Sequence, residues 1–303
     1  MATLSPVPAM QDLKTTFKEC ILIFPSQATE KKSIFLSNMD QILNYNIPTV
    51  HFFSPNPDFP SQNVSKILKM ALEKVLVAYD FMAGRLKLNH KTGCLEIDCN
   101  RAGAGFVVAS CEFTFDEIRD FLVYPNLGFQ QLAVQILHHL GPEDDQPLCI
   151  FQDKAKIDAN GKTARISSFG VVAALIWRCK AFSKNKEYKK DTNSTLLNAI
   201  DIKSRVNPPL PSSYSDNAVL PIGLELHRGI PHGDYVVSSW LRLGFDQVVY
   251  PWGKPLYSCP VVNHRKDICW IFPNALDGGI SAMVSLPHEE MVTFEALFHK
   301  IFA

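Results

Sequence analysis

The sequence predicts an α/β or α+β fold, and three observations carry that expectation. Residues 63–80 place Val64, Ile67, Leu68, Ala71, Leu72, Val75, Leu76 and Tyr79 at helical spacing without a gap, one continuous apolar stripe. Residues 280–286 alternate Ile280, Ala282, Val284 and Leu286 with Ser281, Met283 and Ser285, the period of a strand with one face buried. Strand and helix patterns interleave in both halves of the chain instead of segregating.

In chain order, Cys20-Ile-Leu-Ile-Phe24 is a short apolar run that stops at Pro25, a strand, and Pro48-Thr-Val-His-Phe-Phe53 is a second. Pro55, Pro57 and Pro60 stiffen the loop into the 63–80 helix, for which Asn63 is the expected cap. Residues 85–98 read as a hairpin turning at Asn89-His-Lys-Thr-Gly93, and 105–109 as a strand. Thr114 with Glu117 is a capping box for a helix over 115–122. A strand begins near Leu148 and is expected to stop at Gln152, giving way to a polar linker over 153–164. Ser167 then caps a helix over 168–182. Strands follow at 196–202, 217–222, 234–239, 257–262, 268–272 and 280–286, and a helix from His288 closes the chain.

The stretch Val249-Tyr-Pro-Trp-Gly-Lys-Pro255 reads as a sharp corner. Pro251 holds one φ, Gly253 can take φ above zero, and Trp252 offers a large apolar area at one fixed point.

Composition bounds the function. At 303 residues, 47% hydrophobic and 20% charged, the chain can bury one large or two ordinary cores. Its 30 basic residues balance 30 acidic ones, so no nucleic acid or anionic membrane is expected as partner. None of the eight cysteines forms a Cys-x-x-Cys pair, so no zinc ribbon, metal site or thioredoxin-like centre is expected. The first twenty residues lack a basic start followed by an apolar run, and no stretch approaches the length of a membrane span. The expectation is a reduced, cytoplasmic, soluble monomer.

Several separated stretches share one likeness. Leu36-Ser-Asn-Met-Asp-Gln41, Met82-Ala-Gly-Arg-Leu86, Cys99-Asn-Arg-Ala-Gly-Ala-Gly-Phe-Val-Val108, Ser167-Ser-Phe-Gly-Val-Val-Ala-Ala-Leu-Ile-Trp177, Asp201-Ile-Lys-Ser-Arg205, Ser238-Ser-Trp240 and Tyr250-Pro-Trp-Gly-Lys-Pro255 resemble, in order, the plant BAHD acyltransferases. The resemblance covers roughly 11–152, 163–220 and 229–303. It implies acyl transfer from a coenzyme A thioester, a co-substrate and not a bound cofactor, to an alcohol or amine. It also implies two similar chloramphenicol-acetyltransferase-like domains, here 1–152 and 165–303 joined by the linker 153–164. Ser167, Ser168, Arg205, Ser238 and Ser239 match family positions beside the pantetheine arm and phosphates, and Trp252 and Gly253 match the structural corner. The plain alternatives are that Ser167 is only a helix cap and Arg205 only a surface charge. Lys203 and Arg205, two apart at a strand end, are expected to project to one side.

Three departures stand against the family pattern. The catalytic His-x-x-x-Asp-Gly, expected soon after the strand at Leu148, is missing, so the resemblance assigns no catalytic residue. A helical stretch between about 220 and 229 is missing too. Val249, Tyr250 and Pro251 replace the Asp-Phe-Gly of the Asp-Phe-Gly-Trp-Gly corner. His138, His139, His232 and His264 have neither the spacing nor the chain position of the missing base. His138 and His139, adjacent on a strand pattern, point to opposite faces and chelate poorly together with Glu143, Asp144 and Asp145. Gly103-Ala-Gly105 precedes a strand and not a helix, so it builds no phosphate cradle. Three readings follow from the sequence: an acyl-CoA-dependent transferase shortened by two internal deletions, a non-catalytic protein keeping an acyl-CoA or partner surface, or an incomplete gene or splice product.

Overall fold

In the computed structural model the described residues are 13–113, 131–134, 145–155, 196–211, 219–222, 235–245, 247–261, 268–274 and 278–302, with isolated positions between them. The chain forms two compact units: residues 1–160 with 246–262, and residues 161–245 with 263–303.

Among its described residues unit 1 holds three sheets. Strand β1 (Thr16–Ile23) lies antiparallel to β6 (Ala104–Ser110), and β6 runs parallel to β7 (Ile150–Ala155). Strand β2 (Ser33–Phe35) pairs with β5 (Cys94–Asp98), which forms a hairpin with β4 (Arg85–Asn89). The hairpin turns as expected, with Gly93 at φ 71. Strand β3 (Thr49–Phe53) pairs antiparallel with β11 (Pro255–Pro260), so a segment from late in the chain completes the first unit. The contiguous division at 152 and 165 therefore does not describe this structure: residues 246–262, assigned by sequence to the second domain, pack in unit 1.

Helix α1 (Asn38–Ile42) opens at Ser37, whose amide and hydroxyl both donate to Asp40. Gln41 then ties the helix to β5, donating to the Leu95 carbonyl and accepting from its amide. These bonds give the Leu36–Gln41 stretch its structural role. Helix α2 (Ser61–Ala78) buries Leu72 and Leu76 against Ile23, Ala83, Ala104 and Phe106. Its cap is Pro60 in extended geometry, not Asn63. The Pro60 carbonyl already accepts from the amides of Asn63 and Val64, which places Asn63 inside the first turn. Strand β7 runs past Gln152 to Ala155, so Asp153 and Lys154 belong to a strand and not to a linker. The Ser65 hydroxyl of α2 donates to the Asp153 carboxylate, which fastens that end of the strand. A Cβ on Gly105 would lie 2.6 Å from Leu137 Cδ1 and 3.1 Å from Cγ1 of Ile150 in β7, so the glycine makes room for both side chains.

Unit 2 holds one five-stranded sheet in the order β13-β12-β10-β8-β9. The middle strands β8 (Leu196–Asp201), β10 (Tyr235–Ser239) and β12 (Ile268–Pro273) are parallel. The outer strands β9 (Val219–Ile222) and β13 (Ile280–Val284) are antiparallel to their neighbours. Val237, Cys269 and Ile271 pack with the helical residues Ala173, Ile176 and Cys179, and with Phe294 of helix α3 (His288–Phe302). Of the expected helix over 115–122 only Glu117, in helical conformation, is among the described residues, and the start of the 168–182 helix lies outside them.

Candidate functional site

The corner closes on itself. Tyr250 and Gly253 exchange both backbone bonds, at 3.0 and 2.9 Å, with Pro251 and Trp252 as the two turn residues. Gly253 has φ 129, a conformation that side chains resist, while nothing crowds its missing Cβ. Trp252 is buried. It stacks on Tyr250 at 5.2 Å and meets Phe53 edge-on at 6.0 Å, and Phe53 meets Tyr250 edge-on at 5.1 Å. The Asn56 side-chain amide donates to the Trp252 carbonyl. Val249, in the place of the family aspartate, is 67% exposed.

The β3–β11 ribbon that this corner leads into has two unlike faces. Phe52, Tyr257 and Cys259 are buried on one face, where burial pushes the Cys259 thiol up to about 12 and makes it inert. Thr49, His51 and Phe53 alternate onto the other face with Ser258, all half-buried, and with Pro260, which is fully buried. There His51 Nδ1 and Ser258 Oγ lie 2.8 Å apart across the ribbon. Burial lowers the His51 pKa below its ordinary 6.5, so the ring is neutral at pH 7. Of the described histidines, His90, His288 and His299 are exposed, and His51 is set inside. Sequence reading missed it, because it stands in an apolar strand with Pro55, not an acid, four positions on. The available signal was its place in the alternation of β3.

Unit 2 brings Arg205, Ser238 and Ser239, three of the positions that the sequence resemblance sets beside coenzyme A, to one end of its sheet. Strands β8 and β10 are hydrogen-bonded parallel neighbours, so the turn after β8 and the last residues of β10 share the carboxyl end. That end is where open α/β sheets bind ligands. Ser238 and Ser239 are half-buried and exposed, and as successive strand residues they face opposite sides, so they do not converge as a pair. Arg205 is exposed, in a turn where its amide donates to the Ile202 carbonyl. Lys203 does not join it, because β8 ends at Asp201 and strand alternation stops there. Lys203 Nζ instead donates to the Tyr214 carbonyl at 3.1 Å and lies over that ring. Ser167 and Ser168 lie outside the described residues.

Arg85 explains why two matching stretches travel together. Its buried guanidinium donates to the carbonyls of Gly84, Ala102, Gly103 and Asp145, which clamps Met82–Leu86 onto Arg101–Gly103. Desolvation pulls its pKa down and Asp145 opposes that. No group of histidine, cysteine and acidic side chains fit to hold a metal occurs among the described residues. None of their helices is long and apolar enough to cross a membrane.

A family model described as "Transferase family" matches residues 13–153, 148–227 and 221–301. Its segments meet at 148–153 and 221–227, the two places where the sequence loses family stretches. Acyltransferase GLAUCE of Arabidopsis thaliana is 36% identical across 97% of each chain, in an alignment of 442 positions against a chain of 303 residues. The excess aligned length is carried by gaps in this chain. Shikimate O-hydroxycinnamoyltransferase of Nicotiana tabacum is 22% identical over 95% of this chain and all of its own. Among solved structures, vinorine synthase superposes with a TM-score of 0.67 at 17% identity, covering 92% of this chain and 96% of that one. TRI101 of F. graminearum, crystallised with coenzyme A and T-2 mycotoxin, does so at 0.66 and 13%, covering 88% and 97%. The chain belongs to the plant BAHD acyltransferases, transferases of acyl groups from coenzyme A thioesters to alcohols or amines, as a shortened member without the His-x-x-x-Asp-Gly motif.

Proposed function

We propose that this shortened chain keeps acyl-CoA binding at the carboxyl end of the β8–β10 sheet and transfers the acyl group far more slowly than a full-length relative. One observation carries this reading: no histidine of the 303 residues is followed four positions later by aspartate, while the coenzyme-side positions remain. In this reading Arg205 grips phosphate with its planar fork, and Ser238 and Ser239 line the approach of the pantetheine arm. Ser167 and Ser168 contribute from the start of their helix. The protein acts as a monomer in the cytoplasm, where its eight cysteines stay as free thiols.

Turnover of an acetyl-, p-coumaroyl- and palmitoyl-CoA panel with alcohols is expected to fall ~10²-fold or more below an intact relative, the usual effect of losing a general base. A rate within about tenfold of the relative would overturn the reading. Calorimetric titration of coenzyme A is expected to show binding that Arg205→Ala weakens by roughly ten- to a hundredfold, since a charge-assisted hydrogen bond contributes ~1.5–3 kcal/mol. Binding without any turnover would favour the non-catalytic reading. A wild type that is molten by circular dichroism would favour an incomplete product.

A further inference from the structure

We propose that Lys203 is a positioning residue for coenzyme A, holding the turn that presents Arg205 to phosphate. The inference deepens the acyl-CoA-binding reading and rests on it, and every residue it uses lies in unit 2. Strand β8 ends at Asp201, and the chain then folds into a turn in which the Arg205 and Val206 amides both donate to the Ile202 carbonyl, at 2.8 and 3.2 Å. Arg205 stands exposed on that turn, while Lys203 is half-buried. The stretch that follows has little means of fastening itself. Of Pro208, Pro209, Leu210 and Pro211, the three prolines carry no amide hydrogen, so Leu210 supplies the one backbone donor. That donor goes to the Lys203 carbonyl, at 2.9 Å.

The Lys203 side chain closes the loop a second time. Its ammonium donates to the Tyr214 carbonyl at 3.1 Å and lies 5.9 Å from the centre of the Tyr214 ring, whose negative face attracts a cation. The Tyr214 amide in turn donates to the Pro211 carbonyl. One residue therefore fastens the chain at 210 through its backbone and at 214 through its side chain. That residue stands two before Arg205, inside the same turn. The two cations differ in what they are able to do. An exposed planar guanidinium grips phosphate in a bidentate fork. An ammonium already on a carbonyl and a ring face would have to leave both to reach phosphate. Ordering a loose loop around a ligand lowers affinity, so a loop closed beforehand raises it. Lys203 thus adds to coenzyme A affinity through Arg205 and makes no phosphate contact of its own.

The test is a double-mutant cycle on Lys203→Met and Arg205→Ala in the full 303-residue chain, read by calorimetric titration of coenzyme A. Lys203→Met is expected to weaken binding by about three- to tenfold, the effect of ordering one or two side chains at the moment of binding. In the Arg205→Ala background it is expected to weaken binding no further, which a general loss of structure in unit 2 would not allow. Lys203→Arg, which keeps a charged donor, is expected to recover most of the affinity. The Arg205 and Leu210 amides are expected to exchange hydrogen faster in Lys203→Met and at the wild-type rate in Arg205→Ala. If Lys203→Met does not fold, Tyr214→Leu, which removes the ring and keeps the carbonyl, takes its place in the cycle with the same expected non-additivity. Losses that add in the cycle overturn the inference, because Lys203 would then touch phosphate itself, and they leave acyl-CoA binding in place. Wild-type affinity in a Lys203→Met protein folded by circular dichroism does the same. Wild-type affinity in Arg205→Ala, or a wild type that binds no coenzyme A, removes the acyl-CoA reading at Arg205 and the inference with it.

Discussion

Strands β7 and β12 both run parallel to a neighbour, yet they are built from opposite materials. Strand β12 reads Ile-Cys-Trp-Ile-Phe-Pro, lies between β10 and β13, and is buried through its first five residues. Strand β7 reads Ile-Phe-Gln-Asp-Lys-Ala and lies at the edge of its sheet among the described residues. A central parallel strand is covered on both faces and has no place for charge. An edge strand takes charge readily, and charge there discourages pairing with another chain. The difference shows how the first unit absorbs the lost segment. Gln152 and Asp153 are polar, and they are accommodated because, among the described residues, their strand pairs with β6 alone and Asp153 takes a hydroxyl from α2. The join has a cost nonetheless, since the buried Gln152 Nε2 finds no partner in the structure although its Oε1 accepts from the Val134 amide. A buried donor left unpaired costs about 1–3 kcal/mol.

The largest expected effect separates the two units. Trp252→Ala is expected to destabilise unit 1 by ~3–5 kcal/mol, the range for an aromatic removed from a packed site. The Trp240–Trp270 pair of unit 2, edge-on at 5.2 Å, should keep its near-ultraviolet dichroism in that variant. Loss of the pair's signal together with unit 1 would mean that the corner supports both units equally. A loss in urea unfolding of under about 1 kcal/mol would mean that Trp252 packs against nothing that matters.

A smaller effect compares the strands directly. Ile271→Ala in β12, at a fully buried position, is expected to cost ~2–5 kcal/mol. Phe151→Ala in β7 removes a side chain that is 41% exposed and is expected to cost well under half as much. Equal losses would erase the distinction between the central strand and the edge strand.

The smallest effect is one of pH and tests the ribbon alone. The folded pKa of His51 lies below the unfolded value near 6.5, so the unfolded chain takes up the proton first. The stability gained by keeping the ring neutral is whole above 6.5 and is lost as pH falls through the folded value. The urea midpoint of wild type should therefore drop between about pH 7.5 and 5 more steeply than that of His51→Gln. Parallel slopes would show that His51 titrates alike in both states.

Much of the secondary structure was legible because helical and strand periods are local. The stripe from Val64 to Tyr79, the hairpin around Gly93 and the strand near 268–272 needed only neighbours in sequence. The corner was legible for the same reason, since Pro251 and Gly253 carry their backbone preferences wherever they stand. The end of β7 was misread because Asp153 and Lys154 look like linker residues until an edge position makes them acceptable strand residues. The side shared by Lys203 and Arg205 was misread because strand alternation was carried past Asp201, where the strand stops.

By itself the sequence determined most of the described elements, the family and the loss of the motif histidine, all of which depend on residue order. Tertiary structure alone decided that the corner and β11 complete unit 1, and that Arg205 and Ser239 share the carboxyl end of one sheet. It also decided that His51 meets Ser258. Strand pairing joins backbones far apart in the chain, and a pair separated by 207 residues leaves no trace in any local period.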